Sequence, residues 1–354
     1  MQLNIATNNG DIGGGEVMLF NIARAARSAG HHVTIVAPAK PAEVADAAQD
    51  EGFDTVVLPV RDRKQYMAAL RVWDARQRQG MLWANGLVPA VATAGHKNRI
   101  VHLHQLPRST AQKLLVGPAR RGALATLLPS KFAAERFKDA AVFYNWVEAV
   151  DLPLTERVVE ETVRVGFVGR PSFDKGTDVL ADAIQELNRD AATRSTAVKY
   201  QLVLAGEPKF VEEDGAREIA ERLDESGDSV ISLGWVPPAE LLKQVDMLVV
   251  PSVVEETFGL VATEAMSARV PLIVSDAGAL PEVVGETYPF VAKKGSASEL
   301  TAMISSVASQ LYTKDDTVGH SVVEAYWRWY EMFSPEAGRQ RVTELMDSLE
   351  TGVL

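Results

Sequence analysis

Short apolar runs alternate with amphipathic stretches along most of the chain. Residues 3–7 ("LNIAT"), 32–38 ("HVTIVAP") and 55–59 ("TVVLP") are apolar enough to be buried on both faces, the pattern of strands in a parallel sheet. Between the first two, apolar residues recur at helical spacing from Glu16 and stop at Gly30, a residue suited to a C-terminal cap. Helices are also predicted at 41–51 and 62–79. The rhythm continues through strands at 80–84, 99–104, 123–129 and 141–145, with helices near 109–121 and 130–138. Strands that alternate with helical segments predict a parallel, doubly wound α/β sheet.

Residues 146–162 ("WVEAVDLPLTERVVEET") interrupt that rhythm, which then restarts. Strands are predicted at 163–169, 200–206, 229–234, 246–252 and 271–276, a helix at 177–190, and a mostly helical end over 296–350. The architecture is used twice. The expected division is a Rossmann-like domain at 1–150, a linker at 151–162 and a second Rossmann-like domain at 163–325. Helices at 326–354 are candidates to cross back to the first domain. Open sheets of this type bind ligands at the C-terminal ends of their strands, so two facing sheets are expected to share a cleft.

Charge adds an asymmetry. Residues 1–150 carry 18 Lys+Arg against 12 Asp+Glu, a net of +6; residues 151–354 carry 18 against 35, a net of −17. The split fits two domains with different surfaces and an anionic partner for the first. The absence of cysteine removes disulfides, thiol nucleophiles and thiolate metal sites. No apolar run is long enough to span a membrane, and the start "MQLNIATNNG" lacks the pattern of a signal peptide. A cytoplasmic location is therefore expected.

Candidate chemistry concentrates in "PSVVEETFGLVATEAMSARVP", residues 251–271. Thr257 is a good N-cap, which predicts a helix from Phe258. The free N–H groups of Phe258, Gly259 and Leu260 would then form an anion site at the helix start. Glu264 falls on the same helical face, among residues suited to burial. A buried carboxylate needs donors, and sugar hydroxyls would supply them. Glu256, in the preceding loop, is placed to accept from a second sugar. Read alone, such a pair is more readily a solvated helix residue and a helix-start charge. A second loop, "GFVGRPSFDKG" (166–176), puts Arg170 and Lys175 between a strand and a helix, where both can reach a diphosphate.

Taken in order, these segments resemble the retaining glycosyltransferases of family four, with the GT-B fold. The resemblance is carried by "GGGEVMLFNIARAARSAGHHVTIVAP" (13–38), "GR" and "KG" in the 166–176 loop, "LGWVPPAELLKQVDMLVVPS" (233–252) and "EETFGLVATEAMSARVPLIVSDAGALPEVVG" (255–285). It implies a catalytic set of His104, Arg170, Lys175 and Glu256. It also implies donor contacts at Gly14, Gly15, Trp235, Val236, Phe258, Gly259, Leu260 and Glu264. In that family the first Glu of the pair holds the transferred sugar and the second the ribose. The loop after "LGW" lines the base, the Gly-rich loop closes over the donor phosphate, and a His at the end of a strand approaches the sugar. Of His102 and His104, the latter is chosen because the terminal residue faces the cleft. The sequence departs from the family at Arg269 and Ala279, where Gly is expected, and at Trp146, which follows Asn145 in place of Gly.

The partners implied are a UDP- or GDP-sugar donor and a hydroxyl acceptor. No cofactor is expected. The chain contains no Asp-x-Asp, so no catalytic metal is expected either. A dinucleotide-dependent oxidoreductase fits poorly. Gly10, Gly13, Gly14 and Gly15 do not make G-x-G-x-x-G, and "IVAPAK" offers no acid for a ribose. A sugar-nucleotide epimerase or a phosphorylase of the same fold is the nearer alternative. Nucleic acid is not expected, because basic residues do not interleave with aromatics. The segment 96–138 holds Lys97, Arg99, Arg108, Lys113, Arg120, Arg121, Lys131, Arg136 and Lys138 against Glu135 alone. It is read as a face for an anionic acceptor, with peripheral membrane contact as the less favoured form. Gly117-Pro118 is expected to interrupt its helix.

Overall fold

The computed structural model describes residues 1–153, 161–193, 198–208, 212–313 and 316–351. It divides into two compact units, one holding residues 1–146 and the helix Pro335–Thr351, the other residues 147–334. Residues 154–160 of the expected linker lie outside the described residues.

In the first unit, β1 (Gln2–Ala6), β2 (His32–Pro38), β3 (Asp54–Leu58), β4 (Met81–Asn85), β5 (Arg99–His102), β6 (Ala125–Leu128) and β7 (Ala141–Val142) make one parallel sheet. Its order is β3-β2-β1-β4-β5-β6-β7. Leu3, Ile5, Ile35, Leu82 and Ile100 are fully buried, as an all-parallel sheet covered on both faces requires. One cluster packs Tyr66, Leu70 and Trp73 of the helix Arg63–Arg76 on Val36, Leu58 and Leu82. A second packs Val116 and Ala119 of the helix Thr110–Arg120 on Val101, Leu103 and Leu128.

That last helix differs from expectation, since it continues through Gly117 and Pro118 to Arg120. A proline there withholds one N–H in the last turn, opposite the carbonyl of Leu114, a residue that is 73% exposed and whose carbonyl water can serve. Arg99, counted above among surface cations, is fully buried. Its guanidinium donates to the carbonyls of Ala90, Ala119 and Arg121 and holds the ends of two helices together.

The second unit repeats the scheme. β8 (Thr162–Val168), β9 (Lys199–Ala205), β10 (Val230–Ser232), β11 (Met247–Val250), β12 (Leu272–Ser275) and β13 (Val291–Ala292) form a parallel sheet. Its order is β10-β9-β8-β11-β12-β13. Counted from β8, this is the doubly wound order 3-2-1-4-5-6, also found in the first six strands of the other sheet. In each sheet the winding direction reverses beside the first strand, between β1 and β4 and between β8 and β11. Open sheets of this order bind ligands beyond the carboxyl ends of the strands at that point, the crevice of the fold.

Two of the positions at which the sequence departs from the family it resembles are accounted for in this unit. Arg269 takes a left-handed conformation (φ 55°) just after the helix Leu260–Ser267, where glycine is usual. Its guanidinium lies 3.8 Å from the ring centroid of Tyr326, a contact that offsets part of the strain. Ala279 has ordinary helical angles, so a side chain there meets no backbone restriction.

Candidate functional site

At the crevice of the first unit, the loop after β1 is organised by a carboxylate. Glu16, third residue of the helix Gly14–Ser28, is buried. It accepts from Thr7 Oγ1 (3.0 Å), Asn9 Nδ2 (3.2 Å) and the Gly13 N–H (3.2 Å). Burial pushes its carboxyl up, and these donors oppose the shift. The bond to Gly13 fixes the Gly-rich turn, leaving Gly14 exposed and Gly15 partly covered.

Gly15 lies against His104. A Cβ at position 15 would sit 3.4 Å from the imidazole Cδ2. Asn85, the last residue of β4, donates through Nδ2 to the Gly15 carbonyl (3.0 Å), and its Oδ1 meets His104 Nε2 at 2.7 Å. β5 ends at His102, not at His104 as expected, so His104 stands in the loop beyond the strand. It is half-buried, and desolvation holds its imidazole down to about 4, neutral at physiological pH. His102 is fully buried between Trp83, Phe143 and His104, a packing residue.

At the crevice of the second unit, the loops after β8 and β11 meet. Lys175 closes a short 3₁₀ turn (Phe173–Lys175), and the Asp174 carbonyl accepts from the Val253 N–H at 3.0 Å. Lys175 Nζ pairs with Glu256 Oε1 at 2.5 Å, and Ser252 Oγ donates to the same oxygen at 2.6 Å. Ser252 is itself tied down, since Ser275 Oγ donates to its carbonyl. The Glu256 backbone is anchored separately. It bridges to Gly278 and accepts from the Ala279 N–H at 2.9 Å. A Cβ at Gly278 would come within 2.3 Å of the Glu256 oxygen, so a side chain there would displace the carboxylate's own backbone.

The helix start is the main correction. The helix runs Leu260–Ser267 and begins two residues later than expected, with Gly259, not Thr257, as N-cap. Gly259 has φ 113°, and a Cβ there would lie 2.5 Å from Leu280 Cδ2. Backbone and neighbour both demand glycine. Phe258 is therefore turned inward against Phe333. The N–H groups that the helix leaves unused at its start are those of Leu260 and Val261.

Glu264 sits one turn into that helix, half-buried. Among the described residues its carboxylate has no hydrogen-bond or ion-pair partner, and desolvation lifts it to about 7. Arg170 is exposed in the loop after β8. Trp235 follows β10 and is 67% exposed, so its ring is open to stacking, while Val236 beside it is half-buried. The loops that carry Arg170 and Trp235 are linked through the one between them. Gly169 N donates to the Ala205 carbonyl (2.9 Å) and Gly206 N to that of Gly234 (2.7 Å).

Ser252, Asn85 and Glu16 were not singled out from sequence. Ser252 stands two residues beyond β11 as part of "PS", and Glu16 is third in its helix; both positions are meaningful only once the loops meet.

Residues 162–310 match the family model described as glycosyl transferases group 1. The structure aligns with that of Anabaena Alr3699/HepE in complex with UDP-glucose at a TM-score of 0.81. That alignment has 19% identity and covers 98% of this chain and 100% of the other. The fold is GT-B. Among curated proteins, the chain is 32% identical over 141 residues to the uncharacterized glycosyltransferase MJ1607 of Methanocaldococcus jannaschii, covering 39% of this chain and 33% of the relative. It is 35% identical over 120 residues to the D-inositol 3-phosphate glycosyltransferase of Segniliparus rotundus, covering 33% of this chain and 25% of the relative. The chain thus spans about a third or less of the length of these two curated relatives.

Proposed function

We propose that the chain is a glycosyltransferase that moves a hexosyl group from a nucleoside-diphosphate sugar to a hydroxyl acceptor, with retention of configuration. The observation that carries this is the Lys175–Glu256–Ser252 cluster in the loops after β8 and β11 of the second sheet, followed by a helix whose Glu264 carboxylate is unpartnered among the described residues. Cations, helix N–H groups and two carboxylates in that order suit a diphosphate flanked by two sugars. The UDP-glucose complex of the Anabaena protein and the group 1 match support the same reading.

In the proposed reaction the bond from the sugar C1 to the phosphate oxygen breaks, and its electron pair goes to the phosphate. Arg170, Lys175 and the N–H groups of Leu260 and Val261 stabilise that charge. The acceptor oxygen bonds to C1 from the same face and its proton passes to the departing phosphate oxygen. Glu256 holds the sugar hydroxyls, Glu264 the ribose, and Trp235 and Val236 the base. A thermal-shift panel of UDP, GDP and ADP tests the donor site. A ligand at 100 times its Kd stabilises by about 2.7 kcal/mol. EDTA should leave both that shift and the turnover unchanged. No stabilisation by any of the three would overturn the reading.

Glu264 gives the site a pH signature. A ribose hydroxyl donates best to the ionised form, so nucleotide affinity should rise about tenfold between pH 6 and 8 as a carboxyl near 7 ionises. Glu264→Gln should remove that part of the slope. The phosphate's own ionisation contributes equally in both proteins, so their difference isolates the carboxylate. Without ligand the sign is opposite. The native carboxyl is raised above its usual value of 4.5, so unliganded stability falls as pH climbs from there to about 7. Equal pH slopes for the wild type and Glu264→Gln would refute the ribose assignment.

An anionic acceptor is the second half of the proposal. Lys97, Arg108, Lys113, Arg121, Lys131, Arg136 and Lys138 are exposed, beside Leu114 and Leu115. A relative named for a phosphorylated inositol supports this choice. Among the described residues no helix is long and apolar enough to cross a membrane. Arg120 is spent on Thr126 Oγ1 and the Lys138 carbonyl, so the test belongs to Lys113 and Arg121. Charge reversal at those two should raise the acceptor KM, more so at low salt, and leave the donor KM unchanged. Unchanged acceptor kinetics, with no sedimentation on anionic vesicles, would reduce the face to a solvated one.

A further inference from the structure

We propose that Asn85 is a positioning residue that couples the Gly13–Gly15 loop to His104 and decides which imidazole nitrogen carries the proton. The proposal deepens the glycosyltransferase reading and rests on it for the role of His104. The Gly15 carbonyl can only accept, so the group 3.0 Å from it must be the Asn85 amide nitrogen. The reverse amide orientation would set two carbonyl oxygens against each other. Asn85 Oδ1 must then face His104 Nε2, at 2.7 Å, and Oδ1 can only accept. The hydrogen therefore sits on Nε2, and the lone pair of the neutral ring is on Nδ1.

Two observations make this a coupling and not only a contact. Asn85 is almost fully buried at the end of β4, between the loop after β1 and the loop after β5, so its side chain has a fixed base. The Gly15 backbone also lies directly against the His104 ring, where a Cβ would be 3.4 Å from Cδ2. A shift in the first turn of the helix Gly14–Ser28 would thus be felt by His104 through one amide. The fixed tautomer leaves Nδ1, a buried atom in the unliganded protein, as the ring's acceptor. It makes His104 a neutral hydrogen-bonding group and not a cation. The other titratable groups against this assembly are His102, packed ring to ring at 4.1 Å, and Glu16, on the far side of Gly13.

The test uses the full chain labelled with ¹⁵N-histidine, with His104 signals assigned through His104→Gln. At pH 7 the wild type should show His104 protonated on Nε2 alone. Asn85→Asp keeps the shape and puts a charge opposite Nε2. Its His104 should gain a second proton with at least about a hundredfold higher proton affinity, the size of shift that an adjacent carboxylate produces. Asn85→Ala should mix the tautomers and lower kcat by about tenfold or more through misplacement of the ring, with the donor KM within about twofold. If Asn85→Ala fails to fold, the isosteric Asn85→Asp still decides. A wild-type His104 protonated on Nδ1, or an Asn85→Asp protein with an unmoved His104 titration, would overturn the proposal. If the wild type transfers no sugar from any nucleotide sugar, the functional reading falls, and the tautomer measurement still judges Asn85.

Discussion

Glu256→Ala is expected to lower kcat/KM for sugar transfer by about a thousandfold, while nucleoside diphosphate binds as well as before or more tightly. A carboxylate that accepts two sugar hydroxyls contributes roughly 1.5–3 kcal/mol through each, and losing both at the reacting centre gives that scale. The fold should survive. The anchors of residue 256 are backbone ones, the bridge to Gly278 and the Ala279 N–H bond, and alanine keeps both. Diphosphate affinity should not fall, because Glu256 is what Lys175 is paired with in the unliganded site. Its removal frees the ammonium for phosphate. Lys175→Ala is the mirror image and should weaken UDP binding about tenfold to a hundredfold, the worth of one charge-assisted contact. Calorimetry with UDP, set beside initial rates, separates the two variants. Equal loss of binding and transfer in Glu256→Ala would remove the sugar-holding role from this residue.

Lys175 and Glu256, which pair in the structure, were visible in the sequence because each lies in a loop that follows a strand marked by its apolar run. The strand core of both sheets was legible for the same reason. The short helix Leu87–Ala92 and the two-residue strand β13 were not, because neither is long enough to show a period. The helix start at Leu260 was misread, since Thr257 has the right chemistry for a cap. What overrides it is the positive φ of Gly259 and the approach of Leu280, a residue 21 positions on. His104 was expected on a strand by alternation alone, and pairing with β4 stops at His102. Asn85 had no local signal at all. Its importance comes from standing between two loops that leave different strands. Local pattern thus predicts which residues reach the crevices, and the hydrogen bonds that orient them follow from the sheet order.

Trp146 carries the sharpest stability prediction. The indole is buried in the first unit, edge-on to Phe143, and its carbonyl accepts from Asn21 Nδ2 at 3.0 Å. It is seated on Gly338 of the helix Pro335–Thr351, where a Cβ would fall 2.3 Å from the ring atoms. The bulk missing at 338 is supplied at 146. Trp146→Ala should therefore cost about 3–5 kcal/mol, the range for emptying a buried aromatic site, against a total stability of about 5–15 kcal/mol. Gly338→Ala should also destabilise the wild type, by about 1–3 kcal/mol, because a rigid ring cannot yield as a flexible chain would. In the Trp146→Ala background the same substitution should reverse sign. With the ring gone the three atoms nearest to the methyl are removed, and alanine is about 1 kcal/mol better than glycine in a helix interior. The double-mutant cycle should thus show coupling of about 2 kcal/mol or more, read from denaturant midpoints at unchanged slope. A Gly338→Ala effect of the same sign and size in both backgrounds would mean that the two residues do not share a packing site. The result reaches the candidate site as well. The helix Pro335–Thr351 packs on Gly14–Ser28, the helix that begins at the Gly-rich turn. A milder change, Trp146→Phe, should loosen that support without unfolding the unit, and kcat should fall more than stability does.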